Sequence, residues 1–152
     1  VKPALLHDQM TWCRHPLDVD LMHEAAQGLL GEHDFSAFRA RDCQAKSPVK
    51  TMHNVQVRRF SDVIVVELHA SAFLYHMVRN IVGVLLPIGQ ARKPISWLNE
   101  VLASADRRQA GVTAPPEGLY FIGVDYPEPH NIPCAPAGPL IVAPLLDHDD
   151  SR

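Results

Sequence analysis

The stretch VKTMHNVQVRRFSDVIVVELHA, residues 49–70, decides the fold. Its first half alternates between two faces, as expected of a strand with one buried side: Val49, Thr51, Val55 and Val57 on one face, and Lys50, Asn54, Gln56 and Arg58 on the other. Phe60-Ser61-Asp62 has the composition of a turn, and residues 63–70 continue as a second strand. The stretch therefore predicts an antiparallel hairpin.

Helical patterns flank the hairpin. Upstream, Pro16-Leu17-Asp18 opens a helix whose apolar residues recur at helical spacing until about Gly31. The segment HDFSAFRARD that follows predicts a turn or short helix, capped by Asp34 and anchored by Phe35 and Phe38. This segment exposes Arg39 and Arg41.

Downstream of the hairpin, a central helix is predicted over residues 72–88, with Ser71 as its cap and Gly89 as its stop. Pro87 is expected to fray or bend its last turn. A second helix is predicted over residues 94–104. The segment from Asp106 is compatible with a short third helix, and residues 118–126 predict a last strand.

The order helix, strand, strand, helix, helix, strand predicts an α+β fold, an antiparallel or mixed sheet with helices packed on one face. All 152 residues form one predicted domain. Its last part, residues 127–152, is a Pro-rich tail in which prolines prevent regular structure.

Composition bounds the class of protein. An apolar fraction of 47% and a charged fraction of 20% are typical of a globular domain. No apolar run approaches the roughly 18–20 residues of a membrane span, and the start VKPALLHDQMTW lacks the plan of a signal peptide. We therefore expect a cytoplasmic protein that does not enter a membrane.

Cysteine and histidine spacing argues against metal. The sequence has 3 cysteines, far apart and without a CxxC motif, and we expect them to be reduced structural thiols: Cys13, Cys43 and Cys134. None of the 9 histidines falls at ligand spacing, so no metal is expected.

Basic residues cluster although the net charge is −3. Residues 39–59 contain a single acid, Asp42, among six bases: Arg39, Arg41, Lys46, Lys50, Arg58 and Arg59. Such a stripe can track the phosphates of a nucleic acid. It is equally compatible with a solvated face.

One arginine lies inside the apolar stretch SAFLYHMVRNIVG, residues 71–83. On a helix, Arg79 shares a face with Tyr75, His76 and Gly83. Burying an unpaired guanidinium is unfavourable, so Arg79 either reaches solvent along its apolar stem or meets a carboxylate or phosphate. Spacing alone leaves both alternatives open.

Several blocks resemble one family in order and spacing: GEHDFSAFRA, FLYHMVRNIVG, EGLYFIGVDYP and GPL are similar to the carboxy-terminal half of the bacterial tRNA pseudouridine synthase A family. The resemblance runs from about Lys2 to Leu140. It implies an enzyme, an isomerase without cofactor or metal, that converts uridine to pseudouridine in the anticodon stem and loop of tRNAs. It also implies a homodimer, with the open sheet face forming half of an RNA-binding cleft.

The resemblance assigns roles to two residues. Arg79 resembles the basic residue that pairs with the family's catalytic aspartate, and Leu119 resembles the leucine that lines the base pocket. The aspartate motif, similar to RTDAGVHA, is missing from this sequence, as is the arginine-tyrosine segment whose tyrosine lies near the target base. Both belong to an amino-terminal half of the family that this chain lacks.

Other residues are candidates for substrate contact. Phe38 and Tyr75 are compatible with either packing or stacking. Asp34 and Asp125 have ordinary interpretations, as a cap and a strand-end residue, and neither is a candidate nucleophile. The candidates for phosphate contact are Arg39, Arg41, Lys46, Lys50, Arg58, Arg59, Arg92, Lys93, Arg107 and Arg108.

An alternative function is a free-standing RNA-binding or dimerisation module without catalysis. The start VKPALL has no initiator methionine, as expected of a fragment or a processed product. The mass of the native protein would distinguish these two cases.

Overall fold

A computed structural model describes residue 6 and residues 8–126. The elements follow in the order α1 (Val19–Gln27), β1 (Gly31–Asp34), a 3₁₀ turn (Ser36–Phe38), β2 (Val49–Phe60), β3 (Val63–Ala70), α2 (Met77–Gly89) and α3 (Ser96–Ser104). The strands form one antiparallel sheet in the order β1-β2-β3. The predicted α+β class is confirmed, and the predicted tail, residues 127–152, lies outside the described residues.

The β2–β3 hairpin forms where it was predicted, but a bulge alters its faces. Met52 pairs with Ala70 and Asn54 with His69, so His53 is an extra residue on β2. A one-residue insertion exchanges the two faces of a strand on one side of the bulge. Met52 is therefore 2% exposed while Val49 is 42% exposed, contrary to the simple alternation.

The core lies between the sheet and the helices. Met52, Val55 and Val57 of β2 join one apolar cluster with Met22 of α1 and with residues of the other two helices, all nearly inaccessible to solvent: Ile81, Val84, Leu85 and Ile88 of α2, and Leu98 and Val101 of α3. The paired residues Gln56 and Glu67 lie outside this cluster. The helices thus leave the opposite sheet face open.

Helix α1 begins where Pro16-Leu17-Asp18 predicted its start, with Asp18 as its cap. The Asp18 carboxylate accepts hydrogen bonds from the backbone N–H groups of Asp20, at 3.0 Å, and Leu21, at 3.2 Å. The helix ends at Gln27, earlier than predicted, because β1 begins at Gly31, whose φ of 95° suits glycine. The sequence analysis missed β1, a short strand that pairs with the start of β2.

Helix α2 begins at Met77, so the predicted start at residue 72 was wrong. His76 adopts a left-handed conformation, φ 60°, which a continuing α-helix does not contain. Ser71 does not cap the helix, because its hydroxyl accepts a hydrogen bond from Thr51 N–H at 3.1 Å and extends the hairpin instead. Pro87 is tolerated inside α2, which continues to Gly89.

The remaining predictions are corrected in part. Helix α3 begins at Ser96, slightly later than predicted, and residues 107–109 form a turn in place of a short helix. The predicted strand over residues 118–126 is wrong, because no sheet partner in the described part of the chain takes up this segment. Its start lies instead beside residues 9–11, near the amino terminus. There Tyr120 Oη donates to Gln9 O at 2.8 Å, and Thr11 Oγ1 donates to Glu117 O at 2.5 Å.

Residues 110–114, here called the 110–114 loop, pack closely against α2. A Cβ atom at Gly83 would lie 2.0 Å from the backbone oxygen of Val112. Alanine normally stabilises a helix relative to glycine by about 1 kcal/mol. Gly83→Ala is instead expected to destabilise the fold by about 1–3 kcal/mol, since a backbone carbonyl must move. Denaturant unfolding measures the change in the free energy of unfolding.

Gly28→Ala is the matched control. A Cβ there would also meet an atom at 2.0 Å, but that atom is Oδ1 of the exposed Asn99 side chain, which can rotate away. We expect Gly28→Ala to be neutral or to stabilise by up to about 1 kcal/mol. Equal effects of the two substitutions would contradict the close docking of the loop.

Candidate active site

Arg79 lies in the first turn of α2 and is half-buried. Its Nε donates a hydrogen bond to the backbone oxygen of Ala114 at 2.8 Å, and its Nη1 lies 3.2 Å from Nε2 of His76. Both partners are neutral when the imidazole is unprotonated. Within residues 6 and 8–126, Arg79 forms no ion pair with a carboxylate, and its Nη2 has no hydrogen-bond partner. The guanidinium is thus oriented by the chain, while its charge is not neutralised there.

His76 connects Arg79 to Tyr75. The rings of Tyr75 and His76 stack with centroids 4.0 Å apart and planes inclined by 27°. A residue other than glycine in the left-handed region is strained by about 1–3 kcal/mol, and such residues concentrate at functional sites. His76 was not among the predicted site residues. The signal available in the sequence was its spacing of one helical turn from Arg79.

The 39–45 segment fixes the backbone of Tyr75. Tyr75 N–H donates to Cys43 Sγ at 3.3 Å, and Tyr75 O accepts from Ala40 N–H at 3.1 Å. Arg39 closes this segment on itself, since its Nη2 donates to the carbonyls of Cys43 and Ala45, each at 2.8 Å. Tyr75 itself is 53% exposed, whereas Phe38 is fully buried and packs in the core.

Leu119 follows the 110–114 loop in sequence. Its backbone N–H donates to Pro116 O at 3.2 Å, and its side chain is 48% exposed. The structure therefore brings Tyr75 and Arg79 together through His76, with Arg39 behind Tyr75. It places Leu119 farther along the segment that starts at Ala114.

The bases of the predicted stripe do not share one face. Arg58 pairs across the strands with Glu67 at 3.0 Å. The neighbouring Arg59 points to the other side, where its Nη2 donates to Leu17 O at 2.6 Å. Lys50 Nζ donates to backbone oxygens near the start of β2, and Arg41 and Lys46 are exposed.

The remaining basic candidates differ in their surroundings. Arg92 is exposed, and Lys93 Nζ lies 4.9 Å from the centre of the Trp97 ring. Arg107 bonds inward to other residues of the chain. Arg108 meets both carboxylate oxygens of Asp106, and these hydrogen bonds hold the pKa of Asp106 below its ordinary value.

In the described part of the chain, no group of three or more His, Cys, Asp or Glu side chains is arranged to hold a metal ion. No helix there is long and apolar enough to cross a membrane.

Cys43 has a perturbed thiol. The hydrogen bonds that it accepts from the backbone N–H groups of Tyr75 and Ala45 lower its pKa below the ordinary thiol value, with a further contribution from Arg39. The thiolate is the reactive form, so alkylation of Cys43 is expected to reach half of its maximal rate at a lower pH in the folded protein than in the denatured protein.

Iodoacetamide kinetics against pH, in a Cys13→Ser, Cys134→Ser background, measure this midpoint. The same protein in denaturant is the control, because unfolding removes the donated hydrogen bonds and returns the midpoint to the ordinary value. An identical midpoint in the folded and denatured protein would contradict the geometry around Cys43.

Comparison with known proteins identifies the family. The profile of a family described as tRNA pseudouridine synthase matches residues 25–127. The tRNA pseudouridine synthase A of Pseudomonas aeruginosa is 50% identical over 147 residues, covering 97% of this chain and 52% of that protein. The protein of the same name from Alcanivorax borkumensis is 51% identical over 145 residues, covering 95% of this chain and 54% of that protein. That of Actinobacillus succinogenes is 48% identical over 142 residues, with coverages of 93% and 54%. The chain spans about half the length of these curated relatives, and it belongs to the tRNA pseudouridine synthase family.

Proposed function

We propose that this chain is the carboxy-terminal half of a tRNA pseudouridine synthase that isomerises uridine to pseudouridine in the anticodon stem and loop of tRNAs. In this proposal Arg79 pairs with a catalytic aspartate supplied by the other half. The observation that carries the proposal is the arrangement of Arg79, which Ala114 O and His76 Nε2 orient and no carboxylate of the described residues neutralises. An oriented, unneutralised guanidinium is suited to receive a carboxylate.

The chemistry requires such a pair. In the isomerisation the bond from the sugar to a ring nitrogen breaks, the base turns, and a new bond forms from the sugar to a ring carbon, which loses its proton while the released nitrogen gains one. An ionised carboxylate serves this reaction, and a guanidinium at contact distance lowers the pKa of that carboxylate and fixes its orientation. Leu119 offers an apolar wall against which the detached base turns, and exclusion of water keeps that base in place.

RNA contact is proposed for the open face of the sheet and the adjoining segments. Tyr75 is exposed beside Arg79 and offers an aromatic face, while Arg39, Arg41, Lys50 and Arg58 are the candidates for phosphate contact. Phosphate contacts offset the unfavourable unstacking of the target base, about a few kcal/mol. The complete protein is proposed to be a cytoplasmic homodimer, as the family resemblance implies.

The isolated chain is expected to form no pseudouridine on any tRNA, because it lacks the family's aspartate motif. Chromatography of nucleosides after incubation of tRNA with the purified chain measures the product. The complete protein, assayed in parallel, is the positive control. Turnover by the isolated chain would overturn the assignment of the nucleophile to the other half.

Substitution of Arg79 tests the proposal in the complete protein. Arg79→Met retains much of the apolar stem without the charge and is expected to lower kcat by about 10²–10³-fold or more, with tRNA binding nearly intact. Arg79→Lys keeps a charge without the planar fork, and its kcat is expected to lie between those of the unsubstituted protein and of Arg79→Met. An Arg79→Met protein with normal kcat would refute the proposed function.

In the isolated chain Arg79→Met removes the hydrogen bonds to Ala114 O and His76. We expect a loss of only about 1 kcal/mol from the free energy of unfolding, as for ordinary hydrogen bonds. A loss of several kcal/mol would show that Arg79 is chiefly a structural residue.

Substitution of Arg58 and, separately, of Arg59 tests which face of the sheet contacts tRNA. Arg58→Gln is expected to lower the slope of log affinity against log salt by about 0.7–0.9, the effect of one lost phosphate contact. Arg59→Gln, on the other side, is the matched control and should leave the slope unchanged. Glu67→Gln, which releases Arg58 from its ion pair, should strengthen binding. Equal slopes for the Arg58 and Arg59 variants would remove the open face from the proposed interface.

The alternative, an RNA-binding or dimerisation module without catalysis, is distinguished by the same set of measurements. It would be favoured by a native protein that binds tRNA without forming pseudouridine and whose mass is that of this chain alone.

A further inference from the structure

A polar cluster joins α2 to the 110–114 loop next to Arg79. Asn80 is 1% exposed, and its Oδ1 accepts hydrogen bonds from Arg107 Nη2 at 3.0 Å and Thr113 Oγ1 at 2.7 Å. Its Nδ2 donates to Phe38 O at 2.7 Å. A buried amide is stable only when it is paired in this way. The cluster therefore links the 3₁₀ turn, α2 and the loop.

Arg107 directs its guanidinium into the protein. Its Nη1 donates to Ala110 O at 3.1 Å and to Gly111 O at 3.0 Å, while Nη2 donates to Thr113 Oγ1 at 2.8 Å as well as to Asn80. Both terminal nitrogens are thus engaged with the loop and the buried amide. These bonds define the path of the loop and leave Arg107 poorly placed for a phosphate.

The loop in turn sets the geometry of Arg79. Ala114 N–H donates to Arg79 O at 3.1 Å, and Ala114 O accepts from Arg79 Nε at 2.8 Å. The absence of a side chain at Gly83 lets the loop lie close enough to α2 for these two hydrogen bonds to form. Since the guanidinium is planar, fixing the Nε–H direction also fixes the directions of both terminal nitrogens.

We infer that Arg107 is a positioning residue for Arg79: together with Asn80 and Thr113 it holds the 110–114 loop so that the Ala114 carbonyl fixes the plane of the Arg79 guanidinium. The inference rests on the proposed function. Arg107 acts through Arg79 and touches neither the RNA nor the reacting atoms.

The first test uses the chain itself and needs no catalysis. The NMR signal of the Arg79 Nε–H group reports its exchange with solvent. In Arg107→Gln and Thr113→Val this exchange is expected to accelerate about tenfold or more, because a loosened Ala114 carbonyl no longer protects the proton. Arg108→Gln is the control, since the side-chain hydrogen bonds of Arg108 to described residues all go to Asp106, and the substitution should leave the Arg79 signal unchanged. Unchanged Arg79 exchange in Arg107→Gln and Thr113→Val would overturn the inference.

The second test uses the complete protein that carries both halves. Arg107→Gln is expected to lower kcat by about 10–100-fold, the effect of a small misplacement at an active site, with tRNA affinity and its salt dependence unchanged. Arg107→Lys restores a charge but not the fork and should rescue little. A salt slope lowered by about 0.7–0.9 with normal kcat would instead identify Arg107 as a phosphate contact and overturn the inference.

A double-mutant cycle separates positioning from general destabilisation. If Arg107 acts through Arg79, the losses in kcat from Arg107→Gln and Arg79→Lys are not additive, because the second substitution disturbs a contact already lost. Additive losses would refute the inference. Thr113→Val gives an independent cycle if Arg107→Gln folds poorly.

Failure of the proposed function and failure of the positioning role give different results. If Arg79→Met leaves kcat intact, the proposed function fails. If Arg79→Met abolishes kcat while Arg107→Gln has no effect, only the positioning role fails.

Discussion

The hydrogen bonds of the buried Asn80 amide are the interactions on which the geometry of the site depends. Asn80 is the only polar residue in the described part of the chain that is buried as a whole, and three hydrogen bonds satisfy its amide, to Phe38 O at 2.7 Å, from Arg107 at 3.0 Å and from Thr113 at 2.7 Å. Losing one partner of a buried polar group is unfavourable by about 1–3 kcal/mol, so these partners are held together. Through them the 110–114 loop reaches Arg79, which lies one residue before the amide.

Local patterns predicted the elements that bury a regular face. The β2–β3 hairpin followed from alternation and α1 from the helical spacing of its apolar residues, and both formed where the pattern was strong. β1 was missed because most of its residues are exposed and carry no alternation. The late start of α2 was missed for a different reason, since the left-handed conformation of His76 is maintained by contacts that residue spacing does not reveal.

In the site, too, some features follow from local sequence and others only from tertiary contacts. Arg79 was singled out in the sequence because a guanidinium within an apolar helix requires an explanation, and the family resemblance assigned it a role that stays a proposal. Arg107 was grouped with the phosphate contacts because its charge is visible in the sequence, whereas its acceptors are not. Those acceptors include carbonyl oxygens of Ala110 and Gly111, whose positions depend on the path of the loop. A basic residue can therefore be recognised from sequence, but its partner can be recognised only from the fold.

The segment that begins at the end of the 110–114 loop runs from Arg79, which forms no ion pair with a carboxylate of the described residues, to a stretch of exposed apolar residues. It starts at Ala114 beside Arg79, and Asp125 near its other end lies 3.0 Å from His69 of β3. Between them, Phe121 is 78% exposed and Leu119 48% exposed, in residues with strong strand propensity. Exposed apolar residues in a row indicate a surface that another part of a protein covers. The guanidinium that no carboxylate of the described residues neutralises is thus hydrogen-bonded to the start of a segment with exposed apolar residues. One partner that supplies a carboxylate and an apolar face would satisfy both, which is the role proposed for the second half of the synthase.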